Sequence, residues 1–146
     1  MKTYGRTRST AASPVAVWAL WSDPDNWSRW NTGIRSSHIG GPLTSGAAGT
    51  MQTTRGSTHA VAFAFADVEP PARFTMSMAG PPLTTITFRC EIAAETGGSI
   101  VSQNVAFSGP LGFLFGPLIG NQLARDFEPV LADLSSAAER SDTERA

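Results

Sequence analysis

The sequence predicts an α+β fold in which one curved, antiparallel sheet of about seven strands wraps on a single long carboxy-terminal helix. Three observations predict it. Within residues 109–138, apolar side chains recur at Phe115, Ile119, Leu123, Phe127, Val130 or Leu131, Leu134 and Ala138, a three-to-four spacing that makes one stripe on an α-helix. Residues 48–108 instead alternate with period two and are broken by short turns, the pattern of an antiparallel meander. Near the amino terminus, two Ser/Asp–Pro pairs each open a short helix. The expected order is strand, two short helices, six strands and a long helix, with an amphipathic helix covering one face of a sheet.

Taken in order, residues 3–11 mix Thr, Tyr and Arg in an extended pattern and read as a first strand. Ser13 supplies an oxygen to cap free amides, and Pro14 loses nothing by lacking a donor in a first turn, so a helix runs from Val15 to Trp21. Ser22 or Asp23 with Pro24 repeats the signal and opens a second short helix that ends near Trp30 and Asn31. All four tryptophans, Trp18, Trp21, Trp27 and Trp30, fall in these two helices. Each combines a large apolar area with one donor that needs a partner. Core packing at the open end of the sheet accounts for Trp18 and Trp30, and Trp27 is placed either there or at a pocket mouth.

A strand over 33–39 and another over 50–55 flank a Gly/Pro/Ser-rich loop. In HAVAFAFADV, residues 59–68, Val61, Phe63 and Phe65 share one face and alanines the other. Past the turn at 69–71, Phe74, Met76 and Met78 alternate with polar residues, then Ile86, Phe88, Cys90 and Ile92 do so after GlyProPro. GluThrGlyGly at 95–98 is a hairpin turn, after which Val101, Val105 and Phe107 share a face with Gln103.

The long helix is unusual in its first half, where Gly112, Gly116, Pro117 and Gly120 interrupt large apolar residues, and Pro129 removes a hydrogen bond further on. A loosened, bent helix suits a lid over a hollow interior; an ordinary core helix shows the same stripe. The apolar run from Pro110 to Ile119 is about half the ~20 residues needed to cross a bilayer, so no stable membrane insertion is expected.

At 146 residues the chain fits one domain, placed at 1–140, with 141–146 as a disordered tail. The net charge of −1 arises from 11 basic and 12 acidic residues without a basic block, which argues against nucleic acid as a partner. One cysteine forms no internal disulfide, and the two histidines, His38 and His59, lack the spacing of a metal site. No metal and no cofactor are expected. MKTYGRTRSTAASP lacks a signal-like apolar stretch, so a cytoplasmic monomer or homodimer is the expectation.

Five stretches carry a resemblance: SerProValAlaValTrp at 13–18, AspProAspAsnTrpSerArgTrpAsn at 23–31, ThrSerGlyAlaAlaGlyThr at 44–50, ValGluProProAlaArgPhe at 68–74 and PheSerGlyProLeuGly at 107–112. Over nearly its whole length the chain resembles the START-like, or SRPBCC, superfamily of helix-grip proteins, and within it the polyketide cyclase/dehydrase-like group. The resemblance implies a deep cavity between the long helix and the sheet that holds a polyketide, lipid or steroid-like molecule, as a carrier or as a cyclase or dehydrase. The alternative is a protein-interaction module of the same fold without a ligand or catalysis. Cyclases of this fold resemble acid/base catalysts that use tyrosine, yet the sole tyrosine here is Tyr4 in the first strand.

The expected wall of such a cavity is Val61, Phe63, Phe65, Phe74, Met76, Met78, Ile86, Phe88 and Cys90, with methionines that adapt to irregular shapes. Trp27 and Trp30 close one end; Phe115, Leu118, Ile119 and Gln122 face it from the helix. Gln103 is the polar residue in phase with the wall. His59 and Arg55 are the candidate catalytic pair, polarising a carbonyl or moving a proton, though each also reads as a solvent-facing residue. Residues 109–120 are expected to gate entry, with Phe113 or Phe115 and Leu118 closing the mouth opposite Trp27.

Overall fold

The structure, a computed structural model, describes residues 2–54 and 60–145. Its elements follow the expected order. Strand β1 (Thr3–Thr10) leads into helix α1 (Pro14–Trp21) and a 3₁₀ turn (Pro24–Arg29). Strands β2 (Ile34–Ile39), β3 (Ala48–Thr53), β4 (Val61–Glu69), β5 (Arg73–Ala79), β6 (Thr85–Glu95) and β7 (Gly98–Ser108) come next, then helix α2 (Gly112–Arg145). The strands make one seven-stranded sheet in the order β1-β7-β6-β5-β4-β3-β2, antiparallel at every step.

Local sequence chemistry sets the boundaries. Ser13 caps α1 by accepting the Ala16 amide at 3.2 Å, with Pro14 in the first turn. The β6–β7 hairpin closes where Glu95 faces Gly98, and Gly97 takes the positive φ of 83° that its turn requires. The 3₁₀ turn is stitched to β2 by Asp25, whose carboxylate accepts the Ile39 amide at 2.8 Å and pairs with His38 Nδ1 at 2.9 Å. The Ile39 amide, with His38 in support, holds the Asp25 carboxyl below its ordinary range.

Helix α2 lies along β1 and β7 and packs on α1 near its end. It runs to Arg145, past the boundary expected at 140, so that residues 141–145, expected as a disordered tail, are helical, and Ala146 lies outside the described residues. Tertiary bonds explain the extension. Asp142 accepts the Ser13 amide at 2.7 Å and the Ser13 hydroxyl at 3.1 Å, tying the last turns of α2 to the cap of α1.

One turn earlier, Thr10 and Ser135 are both buried, and their hydroxyls lie 2.8 and 2.7 Å from Glu139 Oε2. The Ser135 hydroxyl, then that of Thr10, lowers the Glu139 pKa from its ordinary 4.5. A carboxylate whose folded pKa is depressed stabilises the fold above its unfolded pKa and loses that contribution as pH falls through the folded value. Urea midpoints measured from pH 7 down to pH 3 should therefore drop less steeply for Glu139→Gln than for the parent. Parallel curves would refute this role for the cluster.

Two apolar clusters hold α2. Leu131, Leu134 and Ala138 join Ala16, Val17, Trp21 and the sheet residues Phe63, Phe65, Phe74 and Ile92 in the larger one. Ala124 and Phe127 join Tyr4, Ile86, Val105 and Phe107 in the smaller, with Ile119 and Leu123 packed against it. The helix is thus fastened on both sides of its middle turns.

Among the described residues, no helix is long and apolar enough to cross a membrane.

Candidate functional site: a cavity under the long helix

Between those two fastenings the helix stands off the sheet, leaving a cavity of about 660 Å³. Its floor is the concave face of the central strands: Met51 from β3, Phe74, Met76 and Met78 from β5, Ile86, Phe88 and Cys90 from β6, and Gln103 from β7. Register explains the grouping, because Phe74, Cys90 and Gln103 stand in one cross-strand row, and Met76, Phe88 and Val105 in the next. Leu123, Asp126, Phe127, Pro129 and Val130 form the roof, and Trp21, Trp27, Trp30 and residues 31–34 form one end. Thr32, Gly33, Thr54 and Pro129 are exposed lining residues, so the opening lies between the turn before β2, the end of β3 and the middle of α2.

Of the expected wall, Phe74, Met76, Met78, Ile86, Phe88 and Cys90 line the cavity, as do Trp27, Trp30 and Gln103. Val61, Phe63 and Phe65 do not. Phe63 and Phe65 are buried, but their rings pack on each other at 5.2 Å and on Trp27 at 6.3 and 6.2 Å, so an aromatic cluster takes up their surface. Val61 sits half-buried opposite Met51 at the start of β4. The Trp27 indole is satisfied, donating to the Trp21 carbonyl at 3.1 Å.

The helix residues expected at the site are displaced by one to two turns. Phe115, Leu118, Ile119 and Gln122 are not among the lining residues. Gln122 is exposed and donates to Asp126 at 3.2 Å, and Ile119 packs against the smaller cluster. The cause is a glycine face. Gly112, Gly116 and Gly120 follow one another at every fourth position and face β7 and β1. A methyl at 112 would meet the Phe107 carbonyl at 2.9 Å, one at 116 the Phe107 ring at 3.5 Å, and one at 120 would overlap the Tyr4 ring. These glycines bring the backbone down onto the sheet, and no space remains beneath them.

The residues expected to gate entry, 109–120, do not line the cavity. Phe113 is 78% exposed and Leu118 66% exposed, both away from the cavity, and the opening lies further along the helix. Arg55 and His59 lie outside the described residues.

The cavity's chemistry is sparse. Its ionisable lining side chains, among the described residues, are Asp126 at the roof and Cys90 on the floor. Burial pushes the Cys90 thiol far up, which leaves it protonated and poorly nucleophilic. Tyr4 is buried under Gly120, in the smaller cluster, and does not reach the cavity. No group of three or more His, Cys, Asp or Glu side chains placed to hold a metal occurs among the described residues.

A curved antiparallel sheet wrapped on a long carboxy-terminal helix, with two short helical segments between its first two strands, defines a helix-grip protein. Residues 1–139 match the family described as polyketide cyclase / dehydrase and lipid transport, and the chain belongs to that family. No curated protein matches it in sequence. Solved structures share the fold at low identity. The di-domain ARO/CYC StfQ of the steffimycin biosynthetic pathway superposes with a TM-score of 0.80 at 12% identity, covering 97% of this chain and 51% of that one. Ara h 8.0201 gives 0.76 at 13% identity, covering 95% and 98%. TTHA0849 from Thermus thermophilus gives 0.73 at 14%, covering 96% and 99%.

Proposed function

We propose that this protein binds a hydrophobic small molecule of polyketide, lipid or steroid-like character under α2. The observation that carries the reading is the unfilled space of about 660 Å³ between a helix fastened on both sides and an apolar floor. Cavities that hold small ligands run from roughly 300 to 1,000 Å³ and combine apolar walls with a few polar groups. A fold serving only as an interaction module has no need of that space, and packing normally closes it, since interiors are as dense as organic crystals. Binding and carriage are favoured over catalysis because the described lining offers Asp126 and an inert thiol as its ionisable groups. A cyclase or dehydrase activity would draw its acid and base from Arg55 and His59, which follow the rim residue Thr54 in the chain.

The test is a thermal-shift and native mass spectrometry screen of purified protein against aromatic polyketides, steroids and fatty acids. A true ligand present at a hundred times its Kd adds about 2.7 kcal/mol to stability. If nothing stabilises the fold and no small molecule accompanies the purified protein, the reading fails.

A further inference from the structure

Two buried polar atoms have no hydrogen-bond partner among the described residues: Trp30 Nε1 and Gln103 Oε1. Both residues line the cavity. Buried polar atoms are paired in the great majority of cases, so two orphans facing one space call for an explanation. Neither follows from a shortage of local partners as such. Trp27, three residues before Trp30 and in the same turn, has its indole satisfied by a carbonyl. Gln103 stands in the inward row of β7 between the fully buried Val101 and Val105, where a leucine or valine would leave nothing unmet; the other buried polar residue of that row, Ser99, is satisfied by the Ala12 carbonyl.

The two atoms are also of opposite kind and on opposite sides. An indole N–H only donates, and an amide oxygen only accepts. Trp30 sits just before β2, one edge of the sheet, whereas Gln103 lies on β7, next to the other edge. Between them the floor is apolar, made by Met51, Met76, Met78, Ile86 and Phe88.

Resting on the ligand-binding reading above, we propose that Trp30 Nε1 and Gln103 Oε1 are two polar anchors that orient the ligand. Trp30 donates to a carbonyl-type oxygen at one end of the molecule, and Gln103 accepts from a hydroxyl at the other. The occupant is then a rigid, largely apolar body with a hydrogen-bond acceptor at one end and a donor at the other, and it enters in one orientation. A simple fatty acyl chain, polar at one end alone, meets a single anchor and leaves the second unpaired.

A matched probe set tests this: testosterone, which carries a ketone and a hydroxyl at opposite ends, with one analogue lacking the ketone and one lacking the hydroxyl. Affinities are read by displacement of the apolar dye 1-anilinonaphthalene-8-sulfonate from the parent protein, Trp30→Phe and Gln103→Leu. The parent should prefer testosterone to either analogue by about tenfold, the usual worth of one buried hydrogen bond left unmade. Trp30→Phe should abolish the preference for the ketone alone, and Gln103→Leu the preference for the hydroxyl alone, as a double-mutant cycle separates them. Dye binding retained by both variants shows that fold and cavity persist; should Gln103→Leu lose it, Gln103→Met repeats the test with an unbranched side chain. Dye binding without discrimination among the three steroids, or without steroid binding, overturns the anchors and leaves the cavity reading standing. Failure of the dye and every steroid to bind the parent overturns the cavity reading itself.

Discussion

Leu134→Ala lowers the stability of this protein by about 2–5 kcal/mol, the range for removing a fully buried leucine from a packed core. Leu134 is 0% exposed and Leu131 1%, and both belong to the larger cluster with Ala16 and Val17 of α1. Their contacts fasten the carboxy-terminal half of α2, which no sheet ladder supports. The melting temperature should fall on the order of 10 °C for a domain of this size. Leu118→Ala, at a site 66% exposed, serves as the control and should shift stability by less than about 0.5 kcal/mol. Equal losses at the two positions would mean that α2 is not held where its burial says it is.

The second large effect lies at the other fastening. Gly120→Ala places a methyl on the Tyr4 ring, which is itself buried beneath the helix, so the ring or the helix must move. Overpacking costs about 1–3 kcal/mol, and overlap with a buried ring belongs to the upper part of that range, about 2–3 kcal/mol; less the ~1 kcal/mol that alanine gains over glycine in a helix, the net loss is about 1–2 kcal/mol. Gly116→Ala meets less resistance. Its methyl would rest on the Phe107 ring at 3.5 Å, an ordinary contact, and the helical preference for alanine is offset by the crowding of that methyl against the ring of Pro117, so the change stays within about 0.5 kcal/mol. Chemical denaturation of the two variants side by side should show the larger loss at 120. A Gly120→Ala variant as stable as the parent would show that α2 does not approach β1 as closely as Tyr4 and Gly120 require.

The contrast between these glycines also shows what the sequence could and could not tell. The order of elements was readable because it rests on local chemistry: the Ser13–Pro14 cap, the Gly97 turn and the alternation through Phe74, Met76 and Met78 each act within a few residues. The helical stripe from Phe115 to Ala138 was readable for the same reason. Which part of that stripe faces the cavity was not, since it depends on how near the backbone comes to β7 just before it and to β1 more than a hundred positions away. Glycines at 112, 116 and 120 read as weak points of a helix until Tyr4 and Phe107 are set against them.

The floor of the cavity was legible on β5 and β6, where alternation fixes the inward face. It failed on β4, where Phe63 and Phe65 have the right phase but spend their surface on Trp27. Alternation gives direction and not neighbours. Among the tryptophans, spacing could not separate Trp27, whose indole finds a carbonyl, from Trp30, whose indole has no partner among the described residues. Gln103 was singled out for sharing a face with Val101, Val105 and Phe107, and it lines the cavity.

The position of β1 has a consequence for the order in which a ribosome delivers this chain. Strand β1 pairs with β7, the last strand to be made, and Thr10 and Ser13 are tied to Glu139 and Asp142 near the other end of the chain. The six strands from β2 onward can zip in sequence as they emerge, each against the one before. Strand β1 must wait for β7, carrying Tyr4 without Phe107, and α1, though Trp21 can meet Phe74 of β5, completes its packing with Leu131 and Leu134 only when α2 arrives. Within this domain the strand made first is therefore the last to be housed, and the roof over the cavity closes in the same late event.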